Sequence, residues 1–405
     1  MKEINICMIA PEFLPVWGGV GTYTVELVKH LRKEIQIHVL TPMRESFGEE
    51  QVSSSDYDYS EHFGDNVHVH FVSKASDTFL YNASYQLACL QEIPKLVKKE
   101  NIDLIHLAHH MAGLLLEFKG TNIPTVTTVH NTIQLQRAGT KMSGMPFMDL
   151  GFNEKATYLT YPVLRMVENL YFSRRRNYIS VSNWMTRQLW QEYPAITHSP
   201  ISVIHNSVDT ETFSPSAKKS NGEREIVLFT GRIIAAKGIN YIVDAIPRVL
   251  REYPDTLFVF IGAGNSLPYR ERLKAMGVSE KNFEFLGYLK ERSQLIRYYR
   301  DCSVYVAPTT LWENLPIRIL EAMSCGAPVV ASKVCAIPEA IDHDINGILI
   351  SSGSIDELAS SICRLLGDSN LRRMIGDNAR KTVLDKFDYE LNATRTAKTY
   401  EKILS

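Results

Sequence analysis

Residues 226–261 read IVLFTGRIIAAKGINYIVDAIPRVLREYPDTLFVFI. The apolar run at the start of Ile226–Thr230 predicts a buried strand, and Leu257–Ile261 predicts a second one. The intervening segment Ile239–Tyr253 has the apolar spacing of a helix. A strand, a helix and a further strand in this order are typical of a parallel sheet with helices packed on its faces.

The same alternation continues on both sides of this segment. Further strands are predicted at Ile4–Ala10, Ile35–Leu40, Val67–Val72, Leu104–Leu107, Pro124–Val129, Tyr178–Val181, Phe283–Leu286, Val304–Val306 and Val329–Ala331. Helices are predicted at Thr22–Leu31 and Pro316–Ser324, and the polar stretch Glu45–Asp65 predicts a long loop. Because 405 residues are too many for one hydrophobic core, we expect two α/β sheets in series, divided near residue 210.

The composition is that of an ordinary globular enzyme, with 45% hydrophobic residues, 22% charged residues and a net charge of −1. This charge argues against a nucleic-acid partner, because polyanion-binding proteins are usually strongly basic. Six scattered cysteines without a Cys-x-x-Cys spacing suit a reducing compartment. The first apolar run is too short for a signal peptide, and no run is long enough to cross a membrane. We therefore expect a cytoplasmic protein and leave peripheral membrane contact open.

The segment from Glu313 to Val330 follows the predicted strand Val304–Val306. The start of its predicted helix would direct backbone N–H groups and the positive end of the helix dipole at an anion. Glu321 lies on that helix and could accept two hydrogen bonds from a diol such as ribose, while Glu313 in the preceding loop could hold sugar hydroxyls. The alternative is a pair of solvated glutamates beside an ordinary core helix.

A second motif, Gly231-Arg232 followed by Lys237-Gly238, comes directly after the strand Ile226–Thr230. Ligands of open α/β sheets bind outside the carboxyl ends of the strands. Two cations there, with glycines that allow close backbone approach, suit a diphosphate. Surface cations beside a strand-to-helix turn are the alternative.

Two weaker signals lie in the first half of the chain. The loop Gly18–Gly21 separates the first strand from the first helix and could let a phosphate or a sugar approach the helix N-terminus. His130 follows the strand Pro124–Val129 and could contact a reacting sugar. A glycine-rich turn and a hydrogen-bonded structural histidine are the respective alternatives.

Other matches to known motifs fail on their details. In the stretch from Gly262 to Leu267, the sixth position of a dinucleotide-binding fingerprint is leucine, and no acidic residue ends the next strand. The carboxylate pairs at 56/58 and 342/344 lie in polar turns, and the histidines at 106, 109 and 110 lack zinc spacing. We therefore expect no metal site and no nicotinamide cofactor.

Together these motifs resemble the family-4 glycosyltransferases, retaining enzymes of the GT-B fold. The resemblance extends over essentially the whole chain and also includes Ser182, Asn206–Asp209 and the closing segment Phe387–Tyr400. It implies two Rossmann-like parallel-sheet domains facing across a cleft. Residues 1–208, joined by a C-terminal helix 389–405, would form the acceptor side, and residues 209–388 would form the donor side.

The resemblance also implies a role for each motif. Arg232 and Lys237 would bind the diphosphate, Glu321 the ribose, and Glu313 the transferred sugar, while His130 would line the reaction centre. These implied catalytic residues are His130, Arg232, Lys237 and Glu313. The other implied donor-binding residues are Gly18, Gly19, Gly231, Gly262, Gly287, Tyr288, Leu289, Asn314, Leu315, Pro316, Ile317 and Glu321, with 287–289 holding the base.

One segment departs from the family pattern. Many relatives have Gly-Phe-Gly after the first glutamate, whereas this chain has Asn314-Leu315-Pro316. Pro316 has no N–H, so it cannot donate to a phosphate or a sugar.

The resulting expectation is a retaining, metal-independent enzyme that transfers a sugar from a nucleoside diphosphate sugar to a hydroxyl group. A UDP-sugar is favoured and GDP-mannose is the second choice, while the acceptor is a carbohydrate, a small molecule or a lipid-linked molecule. Two alternatives are a sugar-nucleotide epimerase or hydrolase of the same fold, and a non-catalytic protein that binds a sugar nucleotide.

Overall fold

The computed structural model describes residues 4–14, 18–44, 46–47, 50–51, 58–75, 81–113, 122–142, 147–149, 152–216, 224–289, 291–309 and 314–405. The chain divides into two compact units. The first comprises Met1–Thr132, Thr160–Asn206 and Tyr389–Ser405, and the second comprises Ile133–Leu159 and Ser207–Asp388. Residues 133–159 thus group with the second unit, although they precede residue 208 in the sequence.

Within the described residues of the first unit, seven parallel strands form one sheet in the order β5-β2-β1-β6-β7-β8-β9. These strands are β1 (Ile4–Ile9), β2 (Ile35–Arg44), β5 (Val67–Ala75), β6 (Leu104–Leu107), β7 (Thr125–Val129), β8 (Asn177–Ser180) and β9 (Ile201–Val203), and the antiparallel pair β3 (Ser46–Phe47) and β4 (Glu50–Gln51) stands apart. The helices are α1 (Gly19–His30), α2 (Tyr59–Phe63), α3 (Tyr81–Glu100), the part of α5 (Phe152–Phe172) from Thr160 onward, α6 (Asn183–Glu192) and α14 (Tyr389–Leu404).

The described part of the second unit contains a six-stranded parallel sheet in the order β12-β11-β10-β13-β14-β15. Its strands are β10 (Ile226–Thr230), β11 (Leu257–Ile261), β12 (Phe283–Gly287), β13 (Val304–Ala307), β14 (Val329–Ser332) and β15 (Ile348–Ile350). Its helices are α4 (Ile133–Met142), the start of α5, α7 (Ile239–Glu252), α8 (Leu267–Ala275), α9 (Arg292–Asp301), α10 (Ile317–Ser324), α11 (Ile337–Ala340), α12 (Ile355–Gly367) and α13 (Ser369–Lys386).

Burial explains why the central helix of the second unit forms. Its apolar residues recur at helical spacing, and Ile239, Ile242, Ile246 and Val249 are all buried against the sheet. Gly238 precedes the helix in the left-handed conformation, with φ of 78°. A side chain there would collide with the backbone, because a Cβ would lie 1.9 Å from the carbonyl oxygen of Pro308.

Helix α14 is fixed to the first unit by a buried polar contact. His106 on β6 lies 2.7 Å through Nδ1 from the Tyr400 hydroxyl and 2.8 Å through Nε2 from Thr128 Oγ1. Burial lowers the pKa of His106 to about 3, with a smaller contribution from His130, so the ring is neutral. A neutral imidazole bonded at both nitrogens is a structural residue.

The predicted strands and helices form close to the expected positions, but the loop prediction for Glu45–Asp65 is wrong in part. Strand β2 extends to Arg44, the pair β3–β4 forms, and α2 begins at Tyr59, while residues 45, 48–49 and 52–57 lie outside the described part. All six cysteines are free thiols, and five of them are buried. Among the described residues, no helix combines the length and apolar character needed to cross a membrane.

Candidate active site

The order of strands in the second unit reverses between β10 and β13. The chain runs from β10 outward through β11 and β12, and then from β13 outward in the opposite direction. A reversal of this kind opens a crevice at the carboxyl ends of the two central strands, where ligands of open α/β sheets bind. Arg232 follows β10 at this edge, and α10 follows β13.

Two neighbouring loops at this edge are packed against each other through their backbones. Gly231 N–H donates to Ile261 O at 2.9 Å, and Ile233 N–H donates to Ala263 O at 2.8 Å. Gly262 has φ of 149°, and a Cβ there would lie only 1.8 Å from the carbonyl oxygen of Gly231. Glycine at 262 is therefore required by backbone packing, whatever else it contacts.

Three cationic side chains share this edge. Lys237 ends a short 3-10 turn, Ala235–Lys237, and is only partly exposed. Burial, together with the charges of Arg232 and Arg318, holds the pKa of Lys237 well below its usual value. Two arginines thus repel the positive charge of Lys237, and Lys237 and Arg318 are both only partly exposed. A bound polyanion would stabilise these charges.

The Glu321 carboxylate, by contrast, is held in one position. Its side chain is 2% exposed, and Oε2 accepts hydrogen bonds from the Tyr299 hydroxyl at 2.9 Å and from the Arg318 guanidinium at 2.8 Å. Both bonds end on Oε2, which leaves the other oxygen able to accept hydrogen bonds from a ligand.

The tyrosine that holds this carboxylate is itself part of a buried chain of hydroxyls. Thr230 Oγ1 lies 2.7 Å from the Tyr299 hydroxyl and 3.1 Å from the Tyr305 hydroxyl. Because Tyr299 donates its only proton to Glu321, Thr230 must donate to Tyr299 and accept from Tyr305. Burial and the nearby Glu321 charge raise the pKa of Tyr299 well above its usual value, which keeps this donor protonated.

A proline stands at the start of α10. Pro316 is the N-cap, its carbonyl accepts from Ile319 N–H at 3.1 Å, and the preceding Asn314 and Leu315 are buried. Ile317 is the first helical residue and is also buried. Glu313 lies outside the described residues.

The remaining predicted donor contacts of this unit lie at the same edge. Gly262 follows β11, and Gly287, with φ of 72°, ends β12. Tyr288 and Leu289, which come next, are partly exposed. The predicted site residues of the second unit that the structure describes therefore lie in loops and a helix that follow the carboxyl ends of its strands.

In the first unit, the glycine loop already contains a carboxylate. Gly18 is the N-cap of α1, and a Cβ at this position would lie 2.5 Å from Glu12 Oε2. The same oxygen accepts from Gly21 N–H at 3.3 Å. A negative charge at this helix start disfavours a phosphate and leaves a hydroxyl-bearing ligand as the better fit for Gly18 and Gly19.

His130 lies at the end of β7, with Nε2 3.1 Å from Ala108 O. Its ring stacks on His109 with centroids 6.0 Å apart, and the edge of Tyr23 meets it at 4.6 Å. Burial lowers the pKa of His130 to about 4, so at neutral pH the ring is uncharged. The neutral ring can therefore donate or accept a hydrogen bond, but at neutral pH it holds no extra proton to donate as a general acid.

Comparisons with known proteins identify the family of the chain. The sequence profile described as "Glycosyltransferase Family 4" matches residues 17–212, and the profile described as "Glycosyl transferases group 1" matches residues 210–382. The chain belongs to the family-4 (group 1) glycosyltransferases. This glycosyltransferase is 25% identical to an alpha-maltose-1-phosphate synthase of Mycobacterium tuberculosis, over 99% of its own length and 100% of that protein.

Solved structures of the same fold include two that cover nearly the whole glycosyltransferase. Sucrose-phosphate synthase from Thermosynechococcus elongatus superimposes with a TM-score of 0.78 at 19% identity, over 98% of each chain. Anabaena HepE in complex with UDP and glucose superimposes with a TM-score of 0.72 at 19% identity, over 98% of this chain and 100% of that one. These likenesses confirm the predicted GT-B fold with two parallel-sheet α/β domains.

Sequence reasoning about this glycosyltransferase missed two residues beside Glu321. Arg318 lies three positions before Glu321 on the predicted helix, so the rule that residues i and i+3 meet on one face could have found this pair. Tyr299 is 22 residues away in sequence and comes from α9, so only the folded arrangement of β10, β13 and these helices reveals it.

Proposed function

We propose that this glycosyltransferase transfers a sugar, with retention, from a UDP-sugar to a hydroxyl group and does so without a metal ion. The observation that carries the proposal is the group of Arg232, Lys237 and Arg318 beside the fixed carboxylate of Glu321. Negative charge grows on the diphosphate as the anomeric C–O bond breaks, and preorganised cations stabilise that charge. With three cations available, no bridging metal is required for this step.

Each side chain then has a distinct task. Arg232, Lys237 and Arg318 neutralise the leaving diphosphate, while Glu321 accepts hydrogen bonds from the ribose hydroxyls. The backbone from Gly287 to Leu289 holds the base. Glu313 holds the transferred sugar, and the acceptor hydroxyl attacks from the side of the departing phosphate.

The choice of UDP rests on a relative of the same fold. The Anabaena protein HepE was crystallised with UDP and glucose. A UDP-sugar is therefore the first donor to test, and a carbohydrate, a small molecule or a lipid-linked molecule would supply the hydroxyl group.

A nicotinamide cofactor fits this unit poorly. In a dinucleotide-binding fold, the glycine loop after a strand must remain open to the pyrophosphate. Here, a Cβ at Gly264 would lie 2.6 Å from Ile233 O, and Gly262 is packed on Gly231, so backbone fills the space beside both glycines.

The experiment is a thermal-shift screen of the purified chain against UDP-, GDP- and ADP-sugars and NAD(H), followed by a transfer assay in EDTA. A donor that binds the native state alone raises Tm by mass action, so we expect a UDP-sugar to give the largest shift. We expect turnover in EDTA to match turnover with added Mg²⁺. A shift with NAD(H) alone, or activity that requires the metal, would contradict the proposal.

A variant of the buried tyrosine tests how Glu321 acts. Tyr299→Phe removes one of two hydrogen bonds to Oε2, and a hydrogen bond to a charged group contributes about 1.5–3 kcal/mol. Because ribose contacts are alike in the ground and transition states, we expect KM for the donor to rise about tenfold with kcat nearly unchanged. The neighbouring Tyr298→Phe is the matched control and should leave both constants unchanged. An equal fall in kcat for Tyr299→Phe, with KM unaltered, would place the tyrosine in the chemical step instead.

A further inference from the structure

The part of helix α5 that belongs to the first unit, from Thr160 onward, directs its charged side chains toward the interior. Glu168 is fully buried, with Oε1 2.9 Å from His110 Nε2. Arg165 reaches Glu168 at 3.4 Å and Glu192 on α6 at 3.3 Å, and its guanidinium lies 4.5 Å from the centroid of the Tyr193 ring. These charged groups pair with one another, so they do not make the outer surface of the helix polar.

The outward side of the same helix is apolar. Val163, Met166 and Leu170 are 59%, 66% and 46% exposed, and their spacing of three and four residues puts them in one stripe. The other exposed positions between 160 and 172 are Thr160, Pro162 and Asn169, none of which is charged. A surface helix of a globular protein normally shows the opposite pattern, and an exposed apolar stripe of this kind marks an interaction surface.

Among residues 160–175, the exposed charged side chains lie only beyond the end of the helix. Arg174 and Arg175, directly after α5, are both exposed, and no exposed acidic residue lies between 160 and 175. An apolar stripe bordered by positive charges alone is complementary to a surface that has an apolar interior and a negatively charged boundary layer. That combination describes the headgroup region of a bilayer with anionic lipids better than it describes the mixed-sign rim of a protein interface.

We propose that the stripe Val163–Met166–Leu170, with Arg174 and Arg175, rests on membranes that contain anionic lipids. The three apolar side chains enter the acyl boundary, while the two guanidinium groups contact lipid phosphates. Attachment of this kind is reversible and needs no membrane-spanning helix. It would hold the first unit against the bilayer surface, where a lipid-linked hydroxyl acceptor would be found.

The test is co-sedimentation of the full chain with vesicles of equal parts phosphatidylglycerol and phosphatidylcholine, compared with vesicles of phosphatidylcholine alone. We expect binding to the anionic vesicles that weakens as salt rises. Each arginine near an anionic surface contributes about fivefold, so Arg174→Ser/Arg175→Ser should weaken binding about 25-fold. Val163→Ser/Met166→Ser/Leu170→Ser should weaken it at least about tenfold.

The matched control is Met374→Ser/Leu384→Ser, which removes two exposed apolar side chains from α13 in the second unit and should bind like the parent chain. Circular dichroism and the UDP-sugar thermal shift establish that every variant is folded, independently of lipid binding. Equal binding to both kinds of vesicle, or unchanged binding in both stripe variants, would overturn the proposal. A stable dimer in light scattering that dissociates in Val163→Ser/Met166→Ser/Leu170→Ser would also overturn the proposal, because the stripe would then bind a second copy of the chain.

Discussion

Replacing Lys237 with methionine should lower kcat for sugar transfer by on the order of 100-fold or more, by analogy with the loss of one oxyanion-stabilising group. The ammonium is partly buried and shares its surroundings with Arg232 and Arg318, so its charge acts on a bound diphosphate through little water. Its contribution grows as the bond breaks, so kcat should fall as well as donor affinity. Steady-state kinetics over a range of donor concentrations measures both effects.

Two further variants sharpen this expectation. Lys237→Arg should recover little activity, because a planar guanidinium does not replace a compact ammonium in a partly buried position. Arg248→Met is the matched control: it removes an exposed cation from α7 that pairs at 2.5 Å with Asp356. It should leave kcat unchanged. If folded Lys237→Met retained nearly normal turnover, the diphosphate would have to bind elsewhere.

Replacing Gly262 with alanine should lower the free energy of unfolding of the second unit by roughly 3 kcal/mol or more. The new Cβ would lie 1.8 Å from Gly231 O at a φ of 149°, so the two loops would have to separate. Denaturant or thermal unfolding followed by circular dichroism measures the loss.

Gly277→Ala is the matched control for this substitution. Gly277 also has positive φ, 75°, but no heavy atom lies within 4 Å of a Cβ built there. It should therefore show only the backbone cost of about 1–2 kcal/mol. Equal free energies of unfolding for the two variants would contradict the prediction and would mean that the loops around Gly231 and Gly262 can move apart at little cost.

The strands with long apolar runs were predictable from the sequence because burial on both faces leaves them almost entirely apolar. Ile226–Thr230 and Leu257–Ile261 form with the expected bounds for this reason. The strands β9 and β15 were missed: each has three residues and stands at the end of its sheet, too short to produce a periodic signal.

Two of the three cations of the candidate site, Arg232 and Lys237, were visible in the sequence because they directly follow a predicted strand end, whereas Arg318 was missed. The fixed position of Glu321 was not visible either, since it depends on Tyr299 and Thr230, which come from different elements. The requirement for glycine at 262 was equally hidden. Its neighbour Gly231 O belongs to another loop, and only the register of β10 and β11 brings the two together.

The contact between His106 and Tyr400 spans 294 residues of sequence, so it also constrains the order in which the molecule is built. A ribosome releases β6 long before it releases α14, and during that interval the Nδ1 atom of His106 has no tyrosine to bond. The sheet of the first unit therefore lacks this helix while residues Ser207–Asp388, the larger part of the second unit, are synthesised. Domains usually fold in the order in which they are made, whereas here the later unit can be complete before the earlier one.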